Sequence, residues 1–180
     1  LPPPTANFTT ANNTICIGET INFQNTSTDA NSFEWTFQGG NPSTSTASNP
    51  SVSYSSSGNY SVTLIAFSSG NTSDTLTQNI SVTVNSSPTA AFSGDATTVY
   101  LPNAIVNFSN SSTNSTSFLW NFGDGTTSFL QNPSHTYTDT GYYSVTLISS
   151  NGLCAGDTLI MTNYIYVGSD PALTAPAASF

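Results

Sequence analysis

Two stretches, Tyr60-Ser61-Val62-Thr63-Leu64 and Ile80-Ser81-Val82-Thr83-Val84, alternate apolar side chains with hydroxyls at a period of two. That is the pattern of a strand with one face buried and the other in water. Thr, Val, Ile, Tyr and Phe dominate these runs, as a half-buried pleated surface favours. Gly, Asn, Asp, Ser and Pro interrupt the chain about every 8–12 residues, the spacing of short strands joined by turns. No window carries a 3.6-residue apolar stripe with caps, so the pattern predicts strands and no helices. No apolar stretch approaches the 18 or so residues that a membrane-spanning helix needs.

The same pattern occurs twice. Phe33-Glu34-Trp35-Thr36-Phe37 returns as Phe118-Leu119-Trp120-Asn121-Phe122, and Ile21-Asn22-Phe23 returns as Val106-Asn107-Phe108. Asn49-Pro50, Tyr54 and Gly58-Asn59-Tyr60-Ser61-Val62-Thr63-Leu64-Ile65 return as Asn132-Pro133, Tyr137 and Gly141-Tyr142-Tyr143-Ser144-Val145-Thr146-Leu147-Ile148. Asp74-Thr75-Leu76 returns as Asp157-Thr158-Leu159. An opening Pro-x-Ala-x-Phe occurs at Pro4–Phe8, Pro88–Phe92 and Pro176–Phe180. The chain reads as one repeat over 1–85, a second over 86–168, and a linker with the first strand of a third over 169–180. Leu1-Pro2-Pro3-Pro4 has the character of a linker rather than a signal peptide, which suggests a window from a longer tandem array.

Six or seven short strands per copy imply an all-β fold of two tandem antiparallel sandwiches. Details within each copy point to the immunoglobulin-like type. Trp35 and Trp120, each with Phe two positions to either side, suit an inward-facing central strand. Tyr60 and Tyr143 open the next long strand after a glycine turn, where a tyrosine corner would lie. Neither copy has a cysteine pair of its own, so aromatic packing must hold its two sheets together.

Charge narrows the function classes. The 180-residue chain has no Lys or Arg, nine Asp plus Glu and one His; only 5% of its residues are charged. Without cationic side chains it cannot neutralise phosphates, which excludes nucleic-acid binding by counterion release and docking on anionic membranes. Solubility must come from Ser, Thr and Asn as much as from ionised groups.

Trp120-Asn121-Phe122-Gly123-Asp124-Gly125, then Asn132-Pro133-Ser134-His135-Thr136-Tyr137, then Gly141-x-Tyr143-x-Val145-x-Leu147 closely resembles the polycystic kidney disease (PKD) domain. The first copy is a looser match, with Trp35-Thr36-Phe37-Gln38-Gly39-Gly40 in place of the glycine–aspartate turn and Val52 where His135 stands. The style resembles tandem PKD repeats of large secreted bacterial surface proteins and adhesins. The resemblance implies an extracellular sandwich acting as spacer, adhesin stalk or accessory binding module, without catalysis.

Little in the sequence suggests chemistry. His135 is the only imidazole, and Val52 fills its slot in the other copy, so packing or strand-edge hydrogen bonding accounts for that position better than a Ser/His/Asp relay. There is no Gly-x-Ser-x-Gly elbow and no phosphate loop with its lysine. No cofactor is expected. Calcium is the one metal worth weighing, with Asp124 as a weak ligand candidate; the competing reading of Asp124-Gly125 is a type I′ hairpin turn. Cys16, in the loop just before the second strand of copy one, and Cys154, in the last hairpin loop of copy two, form a candidate disulfide between modules stacked head to tail. Thr75 and Thr158, in Asp-Thr-Leu, resemble the short O-glycosylation motif of some bacterial secretory systems. Asn-x-Ser/Thr sites such as Asn7, Asn25, Asn59 and Asn114 carry less weight in so Asn- and Ser-rich a chain.

Three functional expectations follow. The leading one is a non-catalytic stalk, adhesive element or filament module at the cell surface, whose partners are neighbouring repeats or other copies. The second is a carbohydrate-binding accessory region of a secreted hydrolase, with Tyr100, Tyr142, Tyr164 and Tyr166 as the exposed aromatics contacting surface glycans. The third is a fibre made by strand exchange, with Pro176–Phe180 completing a neighbouring sandwich.

Overall fold

The computed structural model describes residues 2–170. The Pro176–Phe180 expectation therefore lies outside the described residues. The chain divides into two units, Leu1–Ser86 and Ser87–Phe180.

The first unit contains β1 (Phe8–Thr10), β2 (Thr14–Cys16), β3 (Thr20–Asn25), β4 (Ser32–Phe37), β5 (Gly40–Asn41), β6 (Thr44–Ser45), β7 (Ser51–Tyr54), β8 (Gly58–Phe67) and β9 (Ser73–Asn85). Its two sheets have the orders β1-β3-β7-β5 and β2-β9-β8-β4-β6. The second unit contains β10 (Phe92–Gly94), β11 (Thr98–Leu101), β12 (Ile105–Asn110), β13 (Ser117–Asn121), β14 (Thr127–Ser128), β15 (Ser134–Thr136), β16 (Gly141–Ser150) and β17 (Asp157–Ser169). Its sheets run β10-β12-β15 and β11-β17-β16-β13-β14. All described secondary structure is β, and both units are immunoglobulin-like sandwiches.

One pairing in each unit departs from an all-antiparallel arrangement. β2 lies parallel to β9, and β11 lies parallel to β17. The opening segment switches sheets: β1 pairs with β3, then β2 crosses to the opposite sheet and runs along the last strand. Cys16 accordingly ends a strand, opposite Asn85, rather than lying in the loop before one.

Each core is built around its tryptophan. Trp35 stacks on Phe37 at 5.7 Å and receives the edge of Phe8 at 5.3 Å. Trp120 stacks on Phe122 at 6.4 Å and receives Phe92 at 5.1 Å. Burying an indole requires a partner for its N–H; Trp35 donates to the Ala47 carbonyl and Trp120 to the Leu130 carbonyl, both at 2.9 Å. Val62, Leu64 and Val82 in one unit, and Val145, Leu147 and Val167 in the other, close the core from the larger sheet. Tyr60 donates its hydroxyl to the Ser56 carbonyl and Tyr143 to the Asp139 carbonyl, both at 2.8 Å, which pins the turn four residues upstream.

The units differ along their last hairpin. β8 and β9 stay in register throughout, whereas the β16–β17 register shifts between Tyr143 and Val145. Asn163, at φ 50°, lies in this bulge and donates its N–H to Ser144 Oγ at 3.0 Å.

Candidate functional site

The chemically richest turn follows β13. Gly123 (φ 88°) and Gly125 (φ 91°) flank Asp124, which has an ordinary negative φ. A type I′ turn would need positive φ at both Asp124 and Gly125, so that reading is corrected. Asp124 instead closes an Asx-type turn: Oδ1 accepts from the Thr126 N–H at 3.0 Å and the Thr126 hydroxyl at 2.6 Å. Oδ2 meets His135 Nε2 at 2.6 Å. Glycine is required at 123 because a Cβ there would stand 2.6 Å from the Ser144 carbonyl oxygen.

His135, in β15, lies flat on Phe122 at 4.1 Å and 3° and presents its edge to Tyr137. Its contacts with Asp124 and Thr126 both use Nε2, whereas a catalytic relay engages the two ring nitrogens with different partners. Burial opposes ionisation of Asp124, but the Thr126 hydroxyl and amide and His135 outweigh it, holding the carboxyl below its usual range. The cluster is thus an aromatic-backed latch that ties a turn to a neighbouring strand. With both carboxylate oxygens engaged, Asp124 is a poor starting point for a calcium site. Among the described residues no group of three or more His, Cys, Asp or Glu side chains is placed to hold a metal.

The repeated Asp-Thr-Leu has a structural role that sequence reasoning missed. Asp74 Oδ2 accepts the Ala6 N–H at 2.9 Å, and Asp157 Oδ2 accepts the Ala90 N–H at 2.8 Å. The aspartate of one repeated motif therefore grips the alanine of the other, Pro-x-Ala-x-Phe. The signal was available, since both motifs recur together, but nothing in sequence shows that they meet. Thr75 and Thr158 point outward and are exposed.

The four singled-out tyrosines separate. Tyr100, Tyr142 and Tyr166 are exposed on the larger sheet of the second unit. Tyr164, in the bulge, is not part of that face: it packs edge-on against Phe92 at 5.7 Å, and its hydroxyl accepts the Gly94 N–H at 2.8 Å. The bulge turns this side chain toward the opposite sheet. Both cysteines are disulfide-bonded. Cys16 lies beside the last residue of β9, and Cys154 lies in the β16–β17 loop.

Two immunoglobulin-like sandwiches, each built on a buried strand tryptophan and a hydroxyl-pinned tyrosine, define the class as tandem β-sandwich modules. The PKD domain family model matches residues 1–84 and 85–162, so the chain belongs to the PKD domain family in both halves. Among solved structures, the PKD1 domain of the Vibrio cholerae metalloprotease PrtV is 32% identical, covering 46% of this chain and 99% of its own, with a TM-score of 0.39. The PKD1 domain of Vibrio anguillarum Epp is 29% identical, covering 46% and 98%, at 0.39. Extracellular domains 3–5 of Drosophila OTK share the fold at 10% identity and a TM-score of 0.51, covering 92% of this chain and 62% of that one. No curated protein matches the chain. No helix among the described residues is long and apolar enough to cross a membrane.

Proposed function

We propose that the chain is a non-catalytic segment of an extracellular tandem-repeat protein, serving as a stalk or adhesive spacer. The observation that carries this reading is the duplication of a complete, self-closed module. Each copy has its own tryptophan core and its own aspartate tie between first and last elements. The connection is short: β9 ends at Asn85, and Pro88 is already buried in the second unit. The most enzyme-like cluster, Asp124–Thr126–His135, is fully used in fastening a turn. A surface of Ser, Thr and Asn without amines or guanidinium groups suits exposure outside the cell and gives trypsin nothing to cut.

Both cysteines of the chain are disulfide-bonded, and a Cys16–Cys154 bridge is part of this proposal. Closing so long a loop contributes about 5 kcal/mol in the chain-entropy model. Peptide mapping without reductant should recover Cys16 and Cys154 peptides joined in a monomer. Antibodies against the chain should label intact, unpermeabilised cells of its source. Labelling only after permeabilisation would overturn the extracellular reading.

A further inference from the structure

The outer face of the larger sheet is polar in the first module and aromatic in the second. Strand register makes the comparison direct. Asn59 pairs with Ser81, and Thr14 with Thr83, where the second module has Tyr142 paired with Tyr166, and Tyr100 with Gly168. Asn59, Ser81, Thr14 and Thr83 are all exposed. The inward residues between them are unchanged in character, with Val62, Leu64 and Val82 answered by Val145, Leu147 and Val167. The sandwich therefore closes without aromatics on this face. Three tyrosines and one glycine differ together on a single patch, which points to a partner rather than to folding.

The patch is built as a platform. Tyr100, Tyr142 and Tyr166 are 47%, 66% and 37% exposed. The Tyr142 and Tyr166 rings lie 4.8 Å apart at 38°. Gly168 is buried beneath its neighbours: a Cβ there would stand 2.9 and 3.0 Å from Tyr100 ring carbons and 3.3 Å from Tyr166. Glycine thus lets both rings lie down over the strand. Tyr60, Tyr137 and Tyr143 donate their hydroxyls to backbone carbonyls, and Tyr164 accepts an amide. The hydroxyls of Tyr100, Tyr142 and Tyr166 make no hydrogen bond among the described residues. Three strands side by side place these rings across about 10 Å.

We propose that this platform binds a neutral polysaccharide, with the C–H faces of consecutive pyranose rings stacked on Tyr142, Tyr166 and Tyr100. Flat aromatic rings supply the apolar face, and free phenols together with Thr98, which pairs with Tyr166, supply hydrogen bonds at its rim. The chain has no cation to receive carboxylates or sulfates and a net charge of −9, which repels anionic polymers. No platform residue is a carboxylate that would hold an ammonium group. An open strip rather than a closed pocket suits the interior of a linear chain. The site goes beyond the stalk reading, which stands or falls separately.

The test is calorimetric titration of the whole chain with cellohexaose, chitohexaose, xylohexaose and mannohexaose, alongside a variant carrying the first module's residues, Tyr100→Thr, Tyr142→Asn and Tyr166→Ser. Binding of at least one hexaose, weakened more than tenfold in the triple variant but unchanged by Ile160→Thr on the same sheet beyond the bulge, supports the proposal. The reciprocal transplant (Thr14→Tyr, Asn59→Tyr, Ser81→Tyr, Thr83→Gly) should raise the stoichiometry from one site to two, and it reads the idea even if the triple variant misfolds. No binding by any hexaose overturns the proposal, as does binding that survives in a folded triple variant. Self-association in sedimentation that the triple variant abolishes, without sugar binding, overturns it in favour of a second copy as the occupant.

Discussion

Ser149 sits on β16 with no solvent exposure, and its hydroxyl has no hydrogen-bond partner. The first module places Ala66 at the same position, also fully buried. Removing the hydroxyl by Ser149→Ala relieves the desolvation cost of an unpaired polar group, about 1–3 kcal/mol. Lost van der Waals contact at the vacated oxygen offsets part of that gain. The net expectation is about 1 kcal/mol of stabilisation, or a rise of about 4–8 °C in the melting temperature of a module this size. Scanning calorimetry on the whole chain should show the rise in one transition only. Ala66→Ser should lower the other transition by a similar amount. A lower melting temperature for Ser149→Ala, or no effect of Ala66→Ser, would refute the reasoning and mean that the buried hydroxyl has a partner such as an internal water.

Other expectations follow from the same geometry. Trp120→Ala should cost about 3–5 kcal/mol and unfold the second module, read as loss of its calorimetric transition. Asp157→Ala removes the acceptor for Ala90 N–H and should cost about 1.5–3 kcal/mol in a urea titration. The Asp124 carboxyl is held below the ordinary aspartate value of 3.8, so its stabilisation is present above that value and lost as pH falls through the lower folded one. Acid titration of the second module should therefore show a loss of stability that Asp124→Asn flattens.

The long strands were legible because they alternate for many residues: β8, β9 and β16 carry the period openly, and duplication doubled the signal. The parallel strands β2 and β11 were not, since three or four residues such as Thr14-Ile15-Cys16 cannot reveal which sheet they join. The bulge at Asn163 was hidden for a related reason. Extra residues shift register without changing composition, so Tyr164 read as one of an outward set when the backbone turns it inward. The His135–Asp124 contact was half visible, because the turn and the histidine both stand out in the sequence but their meeting depends on β12 pairing with β15. Asp74 and Asp157 show how one motif accommodates two readings: the threonine faces water, while the aspartate holds the fold.

The parallel pairing of β2 with β9, and of β11 with β17, bears on how such a module would carry tension. Tension entering near the start of a module and leaving at its end pulls these neighbouring strands in opposite directions along their lengths. Thr14, Ile15 and Cys16 against Thr83, Val84 and Asn85, and Thr98 to Leu101 against Tyr166 to Ser169, are then loaded in shear, with their hydrogen bonds sharing the force. An antiparallel hairpin pulled from its open end would instead unzip one bond at a time. The short strand least legible in the sequence is thus the module's mechanical clasp, and its yield force would set how much tension a string of such repeats survives before any core is exposed.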